Sequence, residues 1–273
     1  MPSTVDLAAV AREMKDAQDR GAQIAPFSSR IDGFDVPAAY AVADLIHRER
    51  VEDGATTVGR KIGFTNPGMW SIYGVGEPIW GYLYDSTVVH VSGGRATCSL
   101  DGFAEPKIEP EIVLHFHASP PPGGSAMEIL ATIDWIALGF EIVQSHFPGW
   151  KFRAADTVAD WGLHARLLVG EPQRASRLGP DLTQSLERFS LSLFRDGKLC
   201  ETGRGANVLG SPLLAIAHLG AILERQPEYR PLQSGDLVTT GTITTAHSVS
   251  AGERWRAEVQ GIALSGLSVE LLQ

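Results

Sequence analysis

The chain is short of cysteine, of positive charge and of long apolar runs, and each shortage closes off a class of protein. Cys98 and Cys200 are the only cysteines among 273 residues, and they form no CxxC pair. That spacing supports neither a zinc site nor a disulfide framework, and it fits two reduced thiols in a cytoplasmic protein. Lysine and arginine total 23 against 32 aspartates and glutamates, a formal net charge of -9. So acidic a surface repels nucleic acid and anionic membranes alike, and an anionic substrate has to be captured by a local positive site. No uninterrupted apolar run approaches the ~18 residues of a transmembrane helix. The opening MPSTVDLAAVAREMKDAQDR carries Asp and Glu without the apolar core of a signal peptide. The expected location is therefore the cytoplasm, with no membrane partner. Also missing are an HExxH zinc helix, a GxSxG nucleophile elbow and a P-loop, and Gly203-Arg204-Gly205-Ala206-Asn207 stops short of GxGxxG.

What is present is ordinary globular material, 44% hydrophobic with mean hydropathy near zero. Apolar residues at helical spacing over 4–18 predict a first helix with Ser3 as its N-cap. Asp35 and the run PAAYAVADLIHRERVEDG predict a second, with Pro37 in its first turn and Gly54 after its end. After Gly59 the pattern changes. KIGFT reads as a strand, Asn66-Pro67-Gly68 breaks it, and MWSIYG fits one or two helical turns. From Trp80 onward, short β-branched or aromatic runs alternate with Gly, Pro and Ser, which predicts mostly antiparallel sheet. Helices are expected near 126–133, 153–161 and 211–224, the last with Ser211 as N-cap and Pro212 at its first position. No linker divides the chain. We therefore expect a helical cap over residues 1–58 on a β-rich catalytic domain over 59–273.

The most informative stretch is Ile108-Glu109-Pro110-Glu111-Ile112-Val113-Leu114. Residues two apart on a strand share a face, so Glu109 and Glu111 project side by side from an apolar strand. Glu141 repeats the oddity within Leu138-Gly139-Phe140-Glu141-Ile142-Val143. Buried carboxylates that repel one another must protonate, pair with a cationic side chain, or share a hard divalent cation. Pro110 between the pair points to an edge or a bulge.

Other residues have two readings each. Lys61, in GRKIGFT, fits a pocket-facing ammonium that balances the glutamates and serves as acid or base; it also fits a solvent-facing lysine beside Arg60. Asp85 fits a general base or a turn residue before Ser86. Asp156 and Asp160 lie on one helix face, where a solvated position is the simpler reading for Asp156. His115 and His117 alternate in a strand and read as rim residues. Thr239-Thr240-Gly241-Thr242 offers hydroxyls and free N–H groups for a carboxylate, or is simply a strand end.

Taken in order, AAYAV (38–42), GRKIGFT (59–65), PIWGYLYD (78–85), KIEPEIVLHF (107–116), GFEIV (139–143), DTVAD (156–160), GRGANVLGSPL (203–213) and SGDLVTTGTIT resemble the 2-keto-4-pentenoate hydratase and 4-oxalocrotonate decarboxylase group of the fumarylacetoacetate hydrolase superfamily. The resemblance spans roughly residues 35–270. It implies an α+β fold, a mixed β-sandwich or β-roll with flanking helices and a small N-terminal helical cap. It implies Mg²⁺ or Mn²⁺ on Glu109, Glu111 and Glu141. Lys61 and Asp85 match catalytic positions, and Thr240, Thr242, Asp160 and Trp161 match or border substrate-contacting ones. It implies a homo-oligomer that can associate with a pathway enzyme.

The chemistry implied is addition of water to a 2-hydroxy-2,4-dienoate, with the cation stabilising an enolate of a small 2-oxo or 2-hydroxy acid. Decarboxylation of a 4-oxalocrotonate-like diacid is the alternative. It requires a second positive site, for which Arg60, Lys151 and Arg153 are candidates. Acylpyruvate C–C hydrolysis and a non-catalytic binding subunit are the remaining readings, and the GRKIGFT form and the intact acidic set lean against them. One departure stands out. Where the group reads Val-Ala-Asp-Asn-Ala-Ser, this chain has Val158-Ala159-Asp160-Trp161-Gly162-Leu163. That change implies either a bulkier, less polar pocket or plain core filling by Trp161.

Overall fold

The computed structural model describes residues 5–70 and 74–273. Two helices come first, α1 (Leu7–Arg20) and α2 (Val36–Glu52). Asp6, not Ser3, caps α1: its carboxylate accepts from the Ala9 amide at 3.0 Å, and Ser3 lies outside the described residues. Asp35 caps α2 in the same way through Ala38. The expected turns over MWSIYG fall largely on residues 71–73, outside the described part; Pro67–Met69 before them is a single 3₁₀ turn.

Strands β1 (Thr57–Gly63), β2 (Ile79–Tyr84), β3 (Val88–His90), β5 (Lys107–Phe116), β6 (Ile133–Val143), β7 (His164–Val169) and β11 (Leu237–Thr242) run through the larger sheet in the order β2-β1-β11-β5-β6-β7-β3, with the short β8 (Gln173–Arg174) paired to β6 and β12 (His247–Ser248) to β5. A five-stranded sheet combines β10 (Lys198–Arg204), β9 (Ser190–Arg195), β13 (Arg254–Gln260), β14 (Leu267–Leu272) and β4 (Arg95–Ser99), in that order. Pairing is mostly antiparallel, as expected. The exceptions are β1 with β11, β3 with β7 and β14 with β4.

Cross-strand register fixes what each face of the larger sheet carries. Directly paired residues share a face, so Lys107, Glu109, Glu111, Val113 and His115 align with Val143, Glu141, Gly139, Ala137 and Trp135. Leu83, Val113, Ala137, Leu167 and Val169 pack into one small buried cluster on this face. Leu83 lies on β2 and Leu167 on β7, near opposite ends of the strand order, so the sheet curls until they meet. The inner face thus becomes the inside of a roll, closed at its middle by an apolar plug. The glutamates stand at one end of it. The other end is a shallow opening lined by Asp85, His90, His115 and Trp135.

The outer face of the roll carries the main core. Ile62, Trp80, Ile112, Leu114, Phe140 and Ile142 belong to one cluster with Met14, Phe27, Val42 and Ile46 from the N-terminal segment. The helices over 1–58 therefore share a continuous core with the sheet. Short helices α3 (Ala126–Leu130) and α4 (Ala154–Ala159) are each a little shorter than expected. α5 (Leu182–Arg188) precedes β9, and α6 (Pro212–Glu224) starts at the Ser211 cap as expected. Among the described residues one stretch, 205–224, is long and apolar enough to cross a membrane; more than half of it is buried inside the protein, as befits a core helix.

β5 is a central strand, so Pro110 does not mark an edge. It lies beside a bulge: β11 shifts register between Thr239 and Thr242, opposite Val113 and Glu111.

Because Leu83 is fully buried in the plug, Leu83→Ala should cost about 2–5 kcal/mol, read from urea unfolding. A loss below about 0.5 kcal/mol would show that the plug is not a packed core.

Candidate metal centre

Three carboxylates converge at one end of the roll. Glu109 and Glu141 are directly paired across β5 and β6, and Glu111 follows two residues along β5. One carboxylate oxygen from each lies within 4.8 Å of the others. Like charges directly opposite on a sheet repel, and here they stand in a low-dielectric interior. Gly139 faces Glu111 because a Cβ there would lie 2.6 Å from the Val113 side chain.

Glu111 and Glu141 are only partly satisfied. Glu111 Oε2 accepts from the Gly241 amide at 2.8 Å, while its Oε1 is buried without a hydrogen-bond partner. Glu141 Oε1 accepts from His164 Nδ1 at 2.7 Å. Its Oε2 has no aligned hydrogen bond and only the Lys61 ammonium at 3.3 Å. Because a carboxylate only accepts, His164 carries its proton on Nδ1 and takes the Thr87 hydroxyl on Nε2 at 3.0 Å. Imidazole and backbone amide thus orient the acids from behind, leaving buried oxygens turned inward. That donor set, hard, anionic and oxygen-only, fits Mg²⁺ or Mn²⁺.

The electrostatics carry the same tension. Burial, reinforced by Glu141, pushes Glu109 up to about 7 against the pull of Lys61. Burial pushes Glu111 well above the ordinary carboxylate range, with Glu141 and Glu109 adding to it. Burial acts on Glu141 as well, but Lys61 and His164 outweigh it and hold this acid at about 2. Burial opposes the Lys61 charge, yet the three glutamates outweigh it and raise the ammonium above its usual value.

Lys61 faces the carboxylates from β1, almost wholly buried, and donates to the Gly162 carbonyl at 2.8 Å. That carbonyl is presented by an unusual turn in which Trp161, Gly162 and Leu163 all have positive φ (54°, 61° and 65°). The indole of Trp161 points away from the site. It donates to the Tyr82 carbonyl at 2.7 Å, and the Arg50 guanidinium lies 4.7 Å from its ring.

A cleft of about 910 Å³, including its open mouth, lies over the carboxylates. Lys61, Lys107, Glu109 and Glu111 are its ionisable lining residues, with Thr242 among the polar ones and Phe64, Trp150 and Phe152 as aromatic walls. Several residues predicted for the site stand elsewhere. Asp85 is exposed at the far opening, beyond the plug, where it accepts from the amides of Thr56 and Ser86; it is a turn residue within this chain. Asp160 is buried against His146, with Oδ1 2.7 Å from Nδ1. The Thr240 hydroxyl donates to the Ile112 carbonyl, because the bulge turns it to the outer face. Trp161 lines a small separate cavity with Tyr40 and Arg50. Asp156 is not solvated: it accepts from the amide and hydroxyl of Ser28. His115 stacks on Trp135 at the far rim, 4.9 Å between centroids. Arg60 is buried between Trp80 and Tyr82, and neither Lys151 nor Arg153 lines the cleft. Sequence reasoning missed Lys107, His164 and Gly162, while the free N–H groups expected at Thr239-Thr240-Gly241-Thr242 include the Gly241 amide, which binds the Glu111 carboxylate. Lys107 was legible, since it shares the alternation of Glu109 and Glu111; His164 and Gly162 depend on turns and strand pairing.

No family model matches the chain. A curated 2-keto-4-pentenoate hydratase from Burkholderia vietnamiensis is 30% identical over 257 residues, 94% of each chain. The chain belongs to that group. A 4-oxalocrotonate decarboxylase from Pseudomonas putida is 31% identical over 225 residues, 82% of this chain and 81% of the relative. The solved 4-oxalocrotonate decarboxylase from Pseudomonas putida G7, complexed with magnesium and adipate, superposes with a TM-score of 0.88 at 26% identity over 97% of both chains. Fumarylpyruvate hydrolase from Pseudomonas aeruginosa, with Mn²⁺ and pyruvate, shares the fold at a TM-score of 0.61 and 19% identity over 78% of this chain and 88% of its own. The α+β architecture is therefore one that the chain shares with these solved structures.

Two predictions follow from the geometry. Glu109 and Glu111 titrate higher in the folded chain than in the unfolded one, near 4.5, so the metal-free fold loses stability as pH rises from there through about 7. Glu141, held low, contributes no slope in that window. The chelated protein should melt at a lower temperature at pH 8 than at pH 5.5, and saturating Mg²⁺ should remove the difference; a flat or opposite trend without metal contradicts this. Gly162→Ala would place a Cβ 3.0 Å from Lys61 Cδ at φ +61°. Turnover should drop roughly tenfold with Mn²⁺ affinity unchanged, and full turnover would show that the lysine tolerates displacement.

Proposed function

We propose that this enzyme is a divalent-metal-dependent hydro-lyase that adds water to a 2-hydroxy-2,4-dienoate of the 2-keto-4-pentenoate type, giving a 4-hydroxy-2-oxo acid. The observation that carries the reading is the partly satisfied glutamate triad beneath Lys61, in a chain similar from end to end to curated hydratases. Glu109, Glu111 and Glu141 would hold the cation. Mg²⁺ or Mn²⁺ bound there supplies Lewis-acid stabilisation of negative charge growing on the substrate's C2 oxygen.

The chain's own residues supply the rest. The Lys61 ammonium, fixed by the Gly162 carbonyl and Glu141, stands over the cleft as the proton donor to the carbon chain. Its protonation opposes the negative field of the triad and favours an anionic head group there. The Thr242 hydroxyl, unpartnered in the cleft wall, is a donor for the substrate carboxylate. Phe64, Trp150 and Phe152 keep bulk water from the tail. Ketonisation moves the enol proton to the end of the diene. Water then places hydroxyl on C4 and a proton on C3, so the product gains one water in mass.

Loss of CO₂ from a 2-oxo diacid is the second reading, favoured by the 0.88 TM-score to the solved decarboxylase. A cytoplasmic homo-oligomer, able to associate with a pathway enzyme in aromatic catabolism, belongs to the same proposal; light scattering tests the assembly.

The deciding assay mixes chelator-stripped, Mg²⁺-reloaded protein with 2-hydroxypenta-2,4-dienoate and weighs the product. A metal-dependent product one water heavier supports the hydratase reading. No conversion of this dienol, with CO₂ released from a diacid, replaces it by the decarboxylase. Glu111→Gln should lower turnover at least a hundredfold and weaken Mn²⁺ binding, and unchanged metal affinity would remove Glu111 from the ligand set.

A further inference from the structure

Away from the plug, the cleft over the glutamates turns apolar. Strand register sets the order. Val113 belongs to the plug, Glu111 and Glu109 follow it along β5, and one step further out Lys107 is paired with Val143 of β6. Trp150 stands beside Lys107, its ring centroid 3.8 Å from Nζ, and Phe152 lies 6.0 Å from Trp150 between centroids. Phe64 and Leu163 line the same cleft. Several polar side chains of the wall are engaged elsewhere. Asn66 Oδ1 accepts from the Gly68 amide at 3.0 Å, the Thr244 hydroxyl donates to the Thr245 carbonyl at 3.0 Å, and the Thr245 hydroxyl donates to Glu201 at 2.7 Å. What the wall offers beyond the triad is mostly hydrocarbon.

Three of the four apolar residues named stand in the left-handed region, Phe64 at φ 55°, Trp150 at 57° and Leu163 at 65°. That conformation is costly for bulky side chains and persists where surrounding contacts enforce it, commonly at functional sites. Each of the three is locked by its neighbours. The Trp70 indole donates to the Phe64 carbonyl at 2.7 Å, and the Trp150 indole donates to the Glu105 carbonyl at 3.0 Å. The Leu163 amide donates to the Asp160 carbonyl at 2.7 Å, and its own carbonyl accepts from the Gln144 amide at 2.8 Å. Backbone that a relaxed chain would avoid thus displays hydrocarbon to the cleft. With its mouth the cleft measures about 910 Å³, within the range that holds drug-sized ligands. An unsubstituted pentadienoate fills only a small part of it.

We propose that Phe64, Trp150, Phe152 and Leu163 form an apolar tail subsite, which selects 2-hydroxy-2,4-dienoates carrying a bulky hydrocarbon group, such as an aryl ring, on C5. The parent pentadienoate is then the smallest acid of its class that the cleft accepts, and a weaker ligand. The inference rests on the reading of the triad and Lys61 as the place where the acid's head binds, and it names the substrate's other end. The four residues determine specificity and take no part in bond making. Water still adds at C4, and the C5 substituent passes unchanged into the 4-hydroxy-2-oxo acid. Such a wall favours buried hydrocarbon and disfavours a hydroxylated tail, which would lose its water without gaining a partner.

The test is a binding experiment that requires no turnover. Titration calorimetry of Mn²⁺-loaded protein would compare 2-oxo-5-phenylpentanoate with 2-oxopentanoate, unreactive acids that differ only by the phenyl group on C5. The wild-type chain should bind the phenyl acid about thirtyfold tighter, as befits burial of one ring. Leu163→Asn keeps a residue that tolerates positive φ and puts an amide in the wall. It should cut the ratio to about threefold, chiefly by weakening the phenyl acid. Equal wild-type affinities would overturn the subsite and leave the triad reading intact. An unchanged ratio in Leu163→Asn would place the phenyl group elsewhere and also overturn it. Binding of neither acid would overturn both readings. If Leu163→Asn does not fold, the wild-type comparison and Phe64→Asn, chosen by the same rule, decide the matter.

Discussion

Two carboxylates placed directly opposite one another inside a β-roll are a charge problem, and the local structure is arranged around it. Glu109 faces Glu141, and Glu111 stands one step further along the same strand. Protein interior cannot screen them, so every nearby device either neutralises or orients an oxygen. The bulge in β11 brings the Gly241 amide to Glu111, the strand pair β6–β7 brings His164 to Glu141, and β1 supplies Lys61. What remains is a set of inward oxygens that no protein group satisfies. A hard cation is the one ligand that relieves all three acids together.

The same logic explains where irregular backbone occurs. The Gly162 carbonyl and the Trp150 ring are delivered by left-handed residues, and each turn is locked from outside the cleft. Arg50 on α2 packs against the Trp161 indole, and Glu105 holds the Gly149–Trp150 turn. The N-terminal helices therefore contribute to the geometry at Lys61 without lining its cleft. Trp161 gives the turn an aromatic anchor on its outer side.

Alternation in two apolar strands made Glu109, Glu111 and Glu141 legible from the sequence, because period two and the cost of buried charge are both local facts. Lys61 was legible only through the ordered resemblance, since a lysine beside Arg60 reads equally well as a surface residue. Asp85 and Thr240 were misplaced for a common reason. Linear spacing says nothing about which end of a roll a residue occupies, or which way a bulge turns it. The plug formed by Leu83 and Leu167 joins strands far apart in the sheet order, and only the curl of the sheet puts Asp85 on its other side. Ser3 lost its place to Asp6 by a smaller margin, one turn of helix.

The apolar plug also makes the roll blind-ended. Among the described residues, Lys107 and Trp150 line the cleft over the glutamates, on the opposite side of the plug from Asp85. An acid occupying the cleft would then stand over any cation held by Glu109, Glu111 and Glu141. A chelator should accordingly extract the ion more slowly from protein saturated with a 2-oxo acid than from protein without one, and equal extraction rates would mean a second way out.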